Sequence, residues 1–127
     1  MKKMTNKHIY TILAEKPHLC QVNVGWATFD IKIVERLRSG KHNCWGLCDF
    51  DTYDIFLEKK MKDGPARETL LHEICHSLLE FCGMGEKEEA EKEQKICASN
   101  ETLTITMSRA FMLFVRLNPQ LAKELLL

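Results

Sequence analysis

Residues 68–81 read ETLLHEICHSLLEF and carry two of the chain's five histidines, His72 and His76, with Glu73 directly after the first. Four-residue spacing places both imidazoles on one side of a helix, one turn apart. On a helical wheel of about 100° per residue with His72 at zero, His76 falls at about 40°, Thr69 at about 60°, Glu80 at about 80° and Glu73 at about 100°. Leu71, Ile74, Cys75, Leu78, Phe81 and Cys82 occupy roughly 180° to 300°, the apolar stripe of an amphipathic helix. The stretch therefore predicts a helix, from about Pro65 to Cys82, with one core face and a separate ionisable arc.

The order His, Glu, two residues, His is the HExxH pattern, and its chemistry follows from the wheel. His72 and His76 are positioned to bind one zinc ion, while Glu73, a quarter-turn round, is set to reach a water rather than the ion. Zinc would bring its water's pKa down to roughly 7, and Glu73 would act as general base. Catalytic zinc sites usually have three protein ligands. No histidine follows His76, so the third is expected to be a carboxylate or a residue far upstream. Glu80 is rejected, because side chains at i, i+4 and i+8 span about 12 Å along a helix. Of Glu86, Glu88, Glu89, Glu91, Glu93 and Glu101, the best placed are Glu93 and Glu101. Glu101 is preferred: it opens the next long helix, and Thr104 and Ser108, one and two turns on, are small enough for close helix approach. Cys75 projects with the core stripe and is read as packing.

Around this helix the chain alternates. Residues 5–15 predict a short helix from Thr5 or Asn6, with Ile9, Ile12 and Leu13 as its apolar face, closed before Pro17. Phe29, Ile31 and Ile33 alternate with polar residues, as in a half-buried strand, and Gly25 separates that strand from QVNV. RSGKHN (38–43) is expected to be a loop. CWGLCDFDTYDIFLEK predicts two strands turning near Asp51 and Thr52, with Trp45 and Leu47 on one side and Ile55 and Leu57 in the second run. Trp26 and Trp45 are expected to pack in the core or on the sheet. Asp63, Gly64 and Pro65 supply the turn into the histidine helix, and Gly83 and Gly85 end it. EKEEAEKEQK (86–95) is expected to be a solvated run. A last helix spans about Asn100 to Leu117, with Leu103, Met107, Ala110, Phe111 and Phe114 filling the core, and stops before Pro119.

Composition bounds the rest. With 127 residues, one domain over 1–127 with a modest core is expected. Eighteen basic and eighteen acidic residues cancel, which removes the broad positive field of a nucleic-acid binder, although RLRSGKH (36–42) is a local basic patch. Neither a signal peptide nor a membrane span is evident, so the expected setting is the cytoplasm and the six cysteines are expected to be reduced. Cys44 and Cys48 lack zinc-knuckle spacing, and His18 and His42 are expected on surface loops. Tyr10 or Tyr53 could stabilise an oxyanion, though each is more simply structural.

The segments GLCDFDTYDIFLEKKM, ETLLHEICHSLL and ETLTITMSRAFMLFVRLNP together resemble the small zincin-type metallopeptidases of phage and prophage genomes, relatives of the ImmA/IrrE peptidase domain and, more distantly, of SprT-like domains. The likeness runs from about Val22 to Pro119, with its specific part in the HExxH helix. In that group a glutamate is followed by a small residue at +3, a larger apolar one at +6 and a small one at +7. Glu101, Thr104, Met107 and Ser108 match this pattern. The resemblance implies an α+β minimal zincin fold: a small twisted sheet of three or four strands packed on the HExxH helix and a second long helix. It further implies Zn2+ between the helices, peptide-bond hydrolysis, a protein or peptide substrate laid along the sheet edge, and a setting in the host cytoplasm. The recognition domains of ImmA/IrrE enzymes have no counterpart in this sequence, which leaves a catalytically silent, zinc-binding module for a host or phage protein as the alternative.

Overall fold

A computed structural model describes residues 7–39, 42–81 and 100–127. Helix α1 (Ile9–Glu15) buries Ile9, Ile12 and Leu13, the predicted face. Its start is later than the predicted Thr5 or Asn6, which lie outside the described residues, because His8 serves as the N-cap. The Tyr10 amide donates to His8 Nδ1 (3.1 Å), which makes Nε2 the protonated nitrogen facing the Met61 carbonyl at 2.8 Å. A 3-10 turn (Pro17–Cys20) leads into strand β1 (Gln21–Asn23). Gly25 then takes φ +94°, a conformation open to glycine, and the chain returns as β2 (Thr28–Val34).

RSGKHN is not wholly a loop. Arg38–Ser39 (β3) and His42–Asn43 (β4) form a two-pair antiparallel ladder, extended by the Cys44 amide donating to the Leu37 carbonyl at 3.0 Å. Strands β5 (Gly46–Asp49) and β6 (Asp54–Glu58) form the predicted hairpin. The four-stranded sheet runs β1-β2-β6-β5, with β2 and β6 parallel and the other pairs antiparallel, so β1 and β5 are its edges.

Helix α2 (Asp63–Phe81) begins two residues before Pro65. Asp63 starts it by accepting from the Ile9 amide (2.6 Å) and from Arg67 Nε, tying α1 to α2. Helix α3 (Asn100–Leu117) has the predicted bounds, and after Pro119 the chain continues as α4 (Pro119–Leu126). The predicted terminators Gly83 and Gly85, the 86–95 run, Cys82 and Cys97, and the side chains of His42, Phe81 and Leu103 lie outside what is described.

One face of the sheet makes the core. Phe29, Ile31, Ile55 and Leu57 meet Leu70 and Ile74 of α2, and Phe114, Leu121 and Leu125 join the same buried cluster. The architecture is thus α+β: helices packed on one face of a small mixed sheet. No helix among the described residues is long and apolar enough to cross a membrane.

Arg67 locks the far end of this layer. Its guanidinium donates to the carbonyls of Glu124 and Leu125 at the C-terminal end of α4, where helical carbonyls lack intrahelical partners, and to the Lys7 carbonyl.

Candidate active site

Helix α2 carries the candidate residues, and its rotation over the sheet decides how they are presented. Ala66, Leu70, Ile74 and Leu78, spaced four apart, are almost wholly buried. Ser77 is buried beside them and satisfies its hydroxyl by donating to the Ile74 carbonyl at 2.6 Å. The buried stripe therefore sits closer to Glu73 than the wheel predicted. Leu71, Cys75 and Leu79 turn instead towards α3, where they face Met107, Ala110, Phe111 and Phe114 across a small apolar crevice. Cys75 is a packing residue, as expected, and burial pushes its thiol pKa up.

This rotation separates the ionisable residues. Glu73 is only 7% exposed and lies over edge strand β5. A β-carbon at Gly46 would stand 3.0 Å from its Cγ and Oε2 and 2.6 Å from Thr69 Cγ2. The lack of a side chain at Gly46 is what admits the carboxylate. Cys44 and Cys48 flank that glycine on the same strand face. Burial first, then the Glu73 carboxylate, raises both thiols, Cys48 to about 12.

His72 and His76 remain at the surface side of the helix. Their Nε2 atoms are 3.0 Å apart, with ring centroids at 4.7 Å and planes at 77°. Two ligands at about 2.0–2.1 Å from a tetrahedral ion stand roughly 3.3 Å apart. The pair therefore fits two positions on one zinc ion with a small opening of the rings.

A third ligand is not assembled among the described residues: no group of three or more His, Cys, Asp or Glu side chains there is placed to hold a metal. Glu101 is exposed in the first turn of α3, and Glu93 lies outside the described residues. The expected close approach through Thr104 and Ser108 is corrected: both are exposed, and Met107, Ala110, Phe111 and Phe114 face α2 instead. Nor do all the large side chains of α3 fill the core. Phe114 does, whereas Met107 is 39% and Phe111 47% exposed at the rim of the crevice.

Neither tyrosine stands ready for an oxyanion. The Tyr10 hydroxyl donates to the Glu58 carbonyl at 2.6 Å, and burial, with help from the Glu58 charge, raises its pKa to about 12. Tyr53, in the left-handed region at φ +59°, packs edge-on against Trp26 and Phe29. His18 is a surface residue, as expected, and is paired with Gln120 Oε1 at 2.9 Å. Gly46 is the site residue that sequence reasoning missed. The available signal was a glycine inside an otherwise alternating strand, a mark of close approach by another group.

In comparisons with known proteins, no family model, curated protein or solved structure matches the chain.

Proposed function

We propose that the protein is a zinc-dependent peptidase of minimal zincin type, in which His72 and His76 hold the ion, Glu101 supplies the third ligand and Glu73 is the general base. The observation that carries the reading is the convergence of the two Nε2 atoms at 3.0 Å on a helix whose intervening glutamate is buried over a sheet edge. An ion held there would supply Lewis acidity, the property that polarises carbonyls and lowers the pKa of water to roughly 7. Glu73 accepts the proton of the attacking water and delivers it to the departing amine nitrogen. Its enclosure by Thr69 and the backbone of Gly46 restricts its rotamers, and so fixes the direction from which it can take that proton. Strand β5, an open edge among the described residues, supports a peptide substrate, because an added strand can pair with it through main-chain hydrogen bonds.

Metal analysis joined to a peptide-library cleavage assay tests this reading. Wild type is expected to purify with close to one zinc per chain and to cleave, and Glu73→Gln to keep the zinc and lose cleavage. Less than about a tenth of a zinc per chain after metal-replete expression overturns it. Zinc without cleavage by the wild type leaves the binding module in its place.

A further inference from the structure

Near one end of β5 is an open cavity of about 340 Å³, whose lining includes Arg36, Arg38, Trp45, Glu58 and Lys60. Cys44, on the face of Gly46, reaches its rim, while Trp45 lines it from the side of the sheet opposite α2. Gly46 faces Thr69 and Glu73, and strand side chains alternate, so Trp45 and Leu47 point the other way. Trp45 was expected to pack; instead it is 61% exposed, leaving a large aromatic face at the cavity.

The charges here are unbalanced by construction. Glu58 is buried and accepts the amides of Leu37 (2.9 Å) and Arg36 (3.3 Å), so its charge is spent on the backbone. Glu35 is engaged by Lys59 at 3.8 Å. Arg36, Arg38 and Lys60 form no salt bridge among the described residues. Arg36 is moreover held at φ +55°, a conformation that a long side chain adopts at a cost and keeps only where its surroundings impose it. The amides of Arg36 and Leu37 are bonded to the Glu58 carboxylate in this conformation, which tethers the 36–38 segment at the cavity.

Among the described residues the adjoining edge is open in a way that selects an extended ligand. The Glu58 amide donates to the Trp45 carbonyl, so in an antiparallel ladder the backbone groups of Gly46 and Cys48 point away from β6. The bond from Cys44 to Leu37 closes this edge just before Gly46. A strand added at Gly46 and Cys48 would thus end against the segment that carries Arg38, with alternate side chains turned to the Trp45 face.

We propose that this cavity recognises a carboxylate of an extended peptide that adds to β5, the carboxylate being an acidic side chain or the peptide's C-terminus. The proposal rests on the reading of the α2 site as one that acts on peptides, and assigns that substrate its charge. Trp45 covers the neighbouring peptide stem, while Arg38 and Lys60, with Arg36, attract the carboxylate.

The test is calorimetric titration of the full chain carrying Glu73→Gln, at low salt, with three acetylated heptapeptides of one valine- and threonine-rich sequence. One bears two glutamates and an amidated end, one bears glutamines and an amidated end, and one bears glutamines and a free C-terminus. Binding at least about tenfold tighter for a carboxylate-bearing peptide than for the glutamine amide is expected. The preference should vanish in Arg38→Gln/Lys60→Gln, and which of the two peptides gains identifies the source of the carboxylate. Equal binding of all three, or a preference that survives the double substitution, overturns the proposal. So does tighter binding of a thymidine octanucleotide than of any peptide. Binding is read without cleavage, so the two readings fail separately. Wild type that cleaves all three peptides alike, with no binding preference, defeats the carboxylate site alone; preference without cleavage defeats the peptidase alone.

Discussion

Glu73 rests on the backbone of Gly46 so closely that a β-carbon there would come within 3.0 Å of its Oε2. Thr69 is closer still, with its methyl at 2.6 Å from that position. Gly46→Ala must therefore push the edge strand from α2 or swing Glu73 aside, and overpacking of this kind costs about 1–3 kcal/mol. Gly64, in the first turn of the same helix, meets nothing within 4 Å. Gly64→Ala is expected to leave stability unchanged or raise it by about 0.5–1 kcal/mol through helix propensity. Urea unfolding of the two variants checks the contrast, and equal midpoints would remove the steric argument. Under the peptidase reading, Gly46→Ala also loses activity beyond its stability loss, since the base is displaced.

Asn118 treats edge strand β1 as a partner strand would. Its Oδ1 accepts from the Asn23 amide at 2.7 Å, and its Nδ2 donates to the Asn23 carbonyl at 2.7 Å and to the Phe114 carbonyl at 3.2 Å. The side chain is buried, so removing it leaves strand groups poorly served. Asn118→Leu is expected to destabilise by about 2–4 kcal/mol. Asn118→Asp, which keeps the acceptor but has no amide donor, should fall between. Denaturant titrations rank the three proteins, and a leucine variant as stable as wild type would contradict the assignment.

The acid limb of stability should depend on Glu58. The Leu37 amide is the main influence holding its carboxyl below the usual glutamate range; burial opposes this, and the amides of Arg36, Lys60 and Lys59 add to it. A depressed folded-state pKa means the folded chain releases this proton more readily than the unfolded one. Its contribution is then complete above the ordinary value of roughly 4.3 and is lost as pH falls through the folded value. Glu58→Gln is therefore expected to be less stable than wild type near neutrality, with the difference shrinking as pH drops below about 4. Parallel unfolding curves from pH 7 down to pH 3 read this directly, and a constant difference would show that charge is not the cause.

The elements legible in the sequence are those set by local pattern. Alternation gave the strands of Phe29 and Ile31 and of Ile55 and Leu57, and helical spacing with Pro119 bounded α3. The parallel pairing of β2 with β6 has no local signature, since the segment between them, hairpin β3-β4 and strand β5, can be placed in several ways. The β3-β4 ladder hid in RSGKHN because it consists of two residue pairs and carries no apolar alternation. Trp45 misled for a related reason: among the described residues nothing covers its side chain, which is 61% exposed. In the candidate site, the histidine pair was fixed by four-residue spacing along one helix. The burial of Glu73 was not, because it depends on a glycine in another element, and the relation of Glu101 to the pair depends on how α3 docks.

Zinc binding, if it uses the histidine pair, must appear as stability. A ligand that binds only the folded chain adds about 2.7 kcal/mol at a free concentration of one hundred times its dissociation constant. Zinc is expected to raise the melting temperature of the wild type, and a chelator to reverse the rise. His76→Ala should abolish the effect, since one imidazole cannot replace the 3.0 Å pair. Glu73→Gln should preserve it, as a base that takes no part in holding the ion. The third ligand is then decided between two carboxylates. If Glu101 completes the set, Glu101→Gln weakens the zinc-dependent rise and Glu93→Gln leaves it intact; the reverse pattern transfers the role to Glu93. A melting temperature indifferent to both zinc and chelator in the wild type would remove the metal from the reading altogether, and the two imidazoles would then be a hydrogen-bonded pair on the helix surface.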